Sequence, residues 1–133
     1  EPGFNFREGI AIVPEDPATI QVSGSDNKNF SDAGAVRISN AFREPVKQLH
    51  ITPELRQLGY DNKTTQDDHG MHITGIFKEQ GGEIFYLVKN SWGTGNHPQG
   101  YLYVSQTYFK YKTINIYLHK DALPADIRKK LTF

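Results

Sequence analysis

Polar and apolar positions alternate most cleanly over Lys112-Thr113-Ile114-Asn115-Ile116-Tyr117-Leu118, which puts Ile114, Ile116 and Leu118 on one face and predicts a strand. Phe4 to Pro14 alternates in part and ends in a short apolar run stopped by Pro14, so it reads as a strand or extended segment. Glu83 to Lys89 is rich in β-branched and aromatic residues between Gly81-Gly82 and Gly93, and Met71 to Lys78 and Gly100 to Ser105 are further strand-like runs. Lys78 to Glu83, with two glycines free to take positive φ, predicts a hairpin loop between two of them. At least four strands are expected.

Helical signals are shorter. Thr52 as N-cap, Pro53 at the first helical position, Glu54 near the positive end of the dipole and Gly59 as terminator predict a helix over 52–59. Gln106 to Phe109 predicts one helical turn, and Pro124 to Leu131 a closing helix with Arg128, Lys129 and Lys130 near its C-terminus. Glu15 to Asn29 has loop composition, with one glycine among Ser and Asp and no repeated-glycine phosphate cradle. Phe30 to Val46 reads as either a helix start or a loop, with Glu44-Pro45 as a boundary. Nothing repeats internally.

Length and composition narrow the function classes. One domain over residues 1–133 is expected, with a loop-rich entry to about residue 50 and a β-core with a C-terminal helix from about 51. Fifteen basic against fifteen acidic residues leave no net field toward nucleic acid or an anionic membrane surface. No apolar run approaches the roughly 20 residues of a membrane span, and Glu1-Pro2-Gly3-Phe4 reads as a cut within a longer chain. Zero cysteines exclude disulfides, thiolate metal sites and a thiol nucleophile in this chain.

Candidate chemistry concentrates at the end of one predicted strand. Asn90 falls where the Glu83–Lys89 ladder stops, with Trp92 two positions on to cover it. A carboxamide oxygen can accept from an imidazole N–H and so fix its tautomer and direction without adding charge. His69 lies 21 residues upstream, just before the first strand of the predicted hairpin, and the hairpin returns Asn90 to it. Position alone also fits a half-exposed histidine at a strand start, a turn amide at Asn90 and plain core packing for Trp92. Asp67 and Asp68 read as a solvated loop, the alternative being that Asp68 helps to bind a free amino group. His69, His72, His97 and His119 lack metal-ligand spacing: the first pair is neither i, i+4 on a helix nor i, i+2 on a strand. The aromatics do not interleave with basic residues as a single-strand nucleic-acid platform requires.

Asp68-His69-Gly70-Met71, Lys89-Asn90-Ser91-Trp92-Gly93 and Gly100-Tyr101-Leu102-Tyr103-Val104 together resemble the second half of a papain-like cysteine peptidase. Within that clan the chain is most similar to the bleomycin hydrolase / aminopeptidase C family of the type found in Bacteroides-like bacteria, and Asp121 to Leu131 resembles that subfamily's ending. The resemblance implies an α+β fold, an antiparallel β-barrel-like sheet with short peripheral helices. It implies Cys-His-Asn peptide hydrolysis with His69 as general base, Asn90 orienting its ring, and Trp92 and Asp68 supporting the site. No cofactor and no metal are implied. The partners implied are a peptide substrate, an N-terminal half carrying the cysteine, and further copies in a ring-shaped homo-oligomer, with no nucleic acid and no membrane. Cytoplasmic location follows from the resemblance, the periplasm being the alternative. In the family the C-terminal arm can anchor a substrate's amino group, which would fall to Phe133 here. The alternative function is a non-catalytic β-domain that folds alone or binds peptides or a partner chain.

Overall fold

The computed structural model describes residues 3–17, 22–23, 36–37, 40–67 and 69–131. Among them run strands β1 (Phe4–Asn5), β2 (Ile10–Ala11), β3 (Val22–Ser23), β4 (Val36–Arg37), β5 (His72–Lys78), β6 (Ile84–Lys89) and β7 (Tyr101–Ser105). Three α-helices accompany them among the described residues: α1 (Pro53–Asp61), α2 (Gln106–Lys112) and α3 (Ala125–Arg128). The fold is a mixed α+β arrangement.

The main sheet has the order β1-β2-β7-β6-β5. Its pairings are antiparallel except β2 with β7, which is parallel, and the sheet ends on two different strands. The expected mainly antiparallel, barrel-like sheet is thus antiparallel in three of its four pairings, but it is open and mixed rather than barrel-like. The cause lies in the N-terminal segment: Phe4 to Ala11 folds back on itself as a short hairpin, and its second strand runs alongside β7 in the same direction. The small ribbon β3–β4 pairs Val22 with Arg37 inside the stretches read as loop and as undecided. The predicted loop residues 24–29, and residues 30–35, lie outside the described residues.

Alternation along β6 and β7 gives the sheet two packed faces. Val88, Leu102 and Val104 join Ala11 on one, with Phe4, Phe6, Tyr86, Tyr108 and Phe109 packed around them. Phe85 joins Ile12, Ala41 and Phe42 on the other, with Ile10, Val46 and Tyr103. Asn90, two positions beyond Val88, continues the first face.

Four local expectations change. α1 begins as predicted, Thr52 Oγ1 accepting from Leu55 N–H at 3.2 Å, but it runs past Gly59 to Asp61. Gly59 is buried, and a Cβ there would stand 3.1 Å from Thr65 Oγ1 and 3.5 Å from Tyr111 Cε2, so its smallness serves a close approach rather than a helix end. α2 runs seven residues instead of one turn, capped by Ser105 Oγ, which accepts from Tyr108 N–H. The cleanly alternating Lys112–Leu118 forms no strand: Lys112 ends α2 and 113–119 has no regular structure. Both sides of neighbouring β7 are occupied by β2 and β6, so the segment cannot extend the sheet there, and it pairs with neither edge strand, β1 or β5. The closing helix shortens to Ala125–Arg128.

Candidate active site: a histidine and an asparagine at the end of a hairpin

β5 and β6 form the predicted hairpin, with His72 opposite Lys89 and Lys78 opposite Ile84. Its loop is held by Glu79, whose carboxylate accepts from the N–H groups of Gly81 at 2.7 Å and Glu83 at 2.8 Å, while Gly82 takes φ of 98°. The first of these donors, then the second, holds the Glu79 carboxyl below its ordinary value. A bulge between Ile73 and Gly75 shifts the register once. At the open end His69 and Asn90 face each other, as the hairpin reading requires.

His69 Nε2 lies 2.7 Å from Asn90 Oδ1. The same oxygen accepts from the Ser91 N–H at 2.8 Å. A backbone N–H only donates, so the amide atom turned toward both neighbours is the oxygen, and the imidazole nitrogen facing it carries the hydrogen. In the neutral ring this tautomer leaves the lone pair on Nδ1, the state a proton acceptor needs. Asn90 itself is fixed by its backbone, its N–H donating to Gly100 C=O at 2.9 Å. Its side chain is buried, and Nδ2 finds no hydrogen-bond acceptor among the described residues.

Trp92 stacks on the imidazole, ring centroids 4.7 Å apart and planes 29° from parallel. It stays 38% exposed, so it covers one ring face and leaves the histidine half-buried rather than sealed. Asp67 is exposed, and Asp68 lies outside the described residues, as does Phe133. His72 and His119 are exposed and His97 is not part of the His69 contact; among the described residues no group of three His, Asp or Glu could share a metal ion.

Several supporting residues went unread in the sequence. Asn96 is buried and staples the loop between Trp92 and β7, its Nδ2 donating to Tyr101 C=O at 2.7 Å and its Oδ1 accepting from Gly100 N–H at 2.6 Å. A lone Asn in a Gly- and Pro-containing loop just before a strand is the signal that could have found it. Phe4 and Phe6 meet Trp92 edge-on, at 6.1 Å and 5.3 Å between centroids. No spacing rule links residues so far apart in the chain. The thiol that would complete a catalytic trio is absent from the composition.

Aminopeptidase C from Lactobacillus helveticus is 32% identical to the chain over 69 residues, 52% of this chain and 15% of the relative. The chain thus spans about 15% of the length of the curated relative it matches. Residues 54–133, more than half of the chain and including both His69 and Asn90, match the Peptidase C1-like family. The chain belongs to the Peptidase C1-like family.

Proposed function

We propose that this chain furnishes the general base and its orienting amide to a cysteine aminopeptidase of the bleomycin hydrolase / aminopeptidase C type. The nucleophilic cysteine comes from polypeptide outside these 133 residues. The observation that carries the reading is the 2.7 Å contact of His69 Nε2 with an Asn90 oxygen pinned by the Ser91 N–H. An imidazole so held offers Nδ1 as the base.

The steps follow from that geometry. Nδ1 of His69 takes the thiol proton, and the thiolate attacks the scissile carbonyl carbon. As the C–N bond breaks, the imidazolium gives its proton to the leaving amine and a thioester remains. Water then attacks the thioester while His69 takes its proton, releasing the carboxylic acid and restoring the thiol after proton return. Asn90 supports the imidazolium without neutralising it, because a neutral oxygen accepts the Nε2 hydrogen in both protonation states. Trp92 shields one side of that bond, lowering the local dielectric. An oxyanion hole would come mostly from the cysteine-bearing part, and a ring-shaped homo-oligomer belongs to this proposal for the whole protein.

The absence of any cysteine favours a second reading for the chain on its own, a β-domain that at most binds peptide or a partner chain. Two observations separate the readings. A reading frame or co-purifying chain that supplies a cysteine nucleophile to His69 supports the peptidase, and a frame that starts near Glu1 with no such partner sinks it. In the reconstituted enzyme His69→Ala abolishes acyl-enzyme formation; a retained burst refutes the assigned base.

A further inference from the structure

The loop that carries Trp92 is open to solvent. Residues 91–95 are all exposed, Gly93 has φ of 80°, and a Cβ there would meet nothing within 4 Å. The indole nonetheless lies flat against His69. Two rings of the N-terminal hairpin meet it from the protein side, Phe6 at 5.3 Å and 62° and Phe4 at 6.1 Å and 78°. These are the edge-to-face arrangements that aromatic pairs prefer, and each fixes orientation as well as distance.

The hairpin that presents them is itself anchored. Ile10 and Ala11 pair with Tyr103 and Val104 of β7, Tyr103 N–H donates to Gly9 C=O at 2.7 Å, and Ile12 N–H to Gly3 C=O at 2.9 Å. Between the two phenylalanines Asn5 is buried, its Oδ1 accepting from Glu8 N–H at 3.3 Å. Phe4 and Phe6 also pack on the core cluster of Ala11, Val88, Leu102 and Val104, the face that ends in Asn90. One rigid face thus carries both the amide that holds the imidazole at Nε2 and the rings that hold its cover.

We propose that Phe4 and Phe6 are positioning residues of the active site: they clamp Trp92 on the His69 imidazole, so that the hairpin over residues 3–12, outside the family-matched region 54–133, is part of the catalytic apparatus. The inference rests on the reading of His69 and Asn90 as a catalytic pair, but its readout does not need peptide hydrolysis.

Trp92 is the one tryptophan of the sequence, so emission from the chain reports a single indole. A stacked imidazolium quenches indole emission by contact, whereas neutral imidazole quenches far less. Acidifying the 133-residue chain until its imidazoles are protonated should therefore quench Trp92. His69→Gln should remove that step. With the clamp loosened, the quenching amplitude should fall about twofold or more in Phe6→Leu, and in the same direction in Phe4→Leu. Phe6→Tyr keeps a ring and should restore it. Phe109→Leu, which loosens the same core cluster from the Tyr86 side, should leave it in place. Using both leucine variants means that misfolding of one does not remove the test. Unchanged amplitude in the folded leucine variants, or loss in Phe6→Tyr or Phe109→Leu equal to that in Phe6→Leu, overturns the clamp while the acid–base reading stands. An acyl-enzyme burst retained without His69 overturns that reading and leaves the quenching result as it is.

Discussion

Replacing Asn90 by Ala should barely destabilise the chain while destroying the order of the site. Asn90 Oδ1 accepts two hydrogen bonds, from His69 and from Ser91 N–H, and each contributes about 1 kcal/mol net. Against their loss stands Nδ2, buried with no acceptor among the described residues, whose removal returns about 1–3 kcal/mol of desolvation. These opposing effects nearly cancel, and with a little lost packing the expected change is roughly 0 to 1 kcal/mol, or no more than about 3–6 °C in Tm for a domain of this size. Urea unfolding followed by far-UV circular dichroism measures it. Nitrogen-15 NMR of the histidines reads the other half: His69 in the parent carries its hydrogen on Nε2, and the variant loses that bias. A loss of more than about 3 kcal/mol would refute the reasoning, because it would mean that Nδ2 has a strong partner and that the amide is a structural keystone.

The frame around the site can be probed at two glycines and one carboxylate. Gly9 has φ of 65° and a Cβ there would stand 2.0 Å from the His97 carbonyl oxygen, whereas Gly82 has φ of 98° with nothing within 4 Å. Gly9→Ala should therefore cost about 2–4 kcal/mol, and Gly82→Ala only the backbone penalty of about 1 kcal/mol, compared by urea midpoints; equal costs would contradict the close approach. Backbone donors hold the Glu79 carboxyl below its ordinary value of 4.5, so the unfolded chain binds its proton first on acidification. That contribution to stability is complete above the unfolded value and fades as the pH falls through the lower folded one. Glu79→Gln should flatten the acid limb of a stability profile below about pH 4.5 and change little at pH 7; an unaltered acid limb would count against the loop contacts.

What the sequence made legible was local. The β5–β6 hairpin carried its own turn glycines and β-rich flanks, and that was enough to bring His69 to Asn90. α1 announced itself through Thr52 and Pro53 at its start, while Gly59 misled because a glycine marks a helix end and a tight helix contact with the same letter. Lys112–Leu118 misled for a different reason. Alternation specifies a face, but a strand also needs a ladder partner; this segment pairs with neither edge strand of the sheet, and Ile116 and Leu118 remain exposed. The parallel pairing of β2 with β7, and the contact of Phe4 and Phe6 with Trp92, join residues from opposite ends of the chain, and no periodicity encodes such a meeting.

Local and distant contacts also differ in when they can form. His69 and Asn90 are 21 positions apart and are joined by a hairpin; Phe6 and Trp92 are 86 apart. Loop-closure entropy grows with the logarithm of separation, so a roughly fourfold longer loop costs about 1.2 kcal/mol more to close. The orienting bond is thus a local property of one hairpin, available as soon as that hairpin forms. The packing of Phe4 and Phe6 against Trp92 is a long-range property of the finished fold. Fraying of the first dozen residues would therefore leave the His69–Asn90 bond in place while removing the two rings that pack edge-on against Trp92.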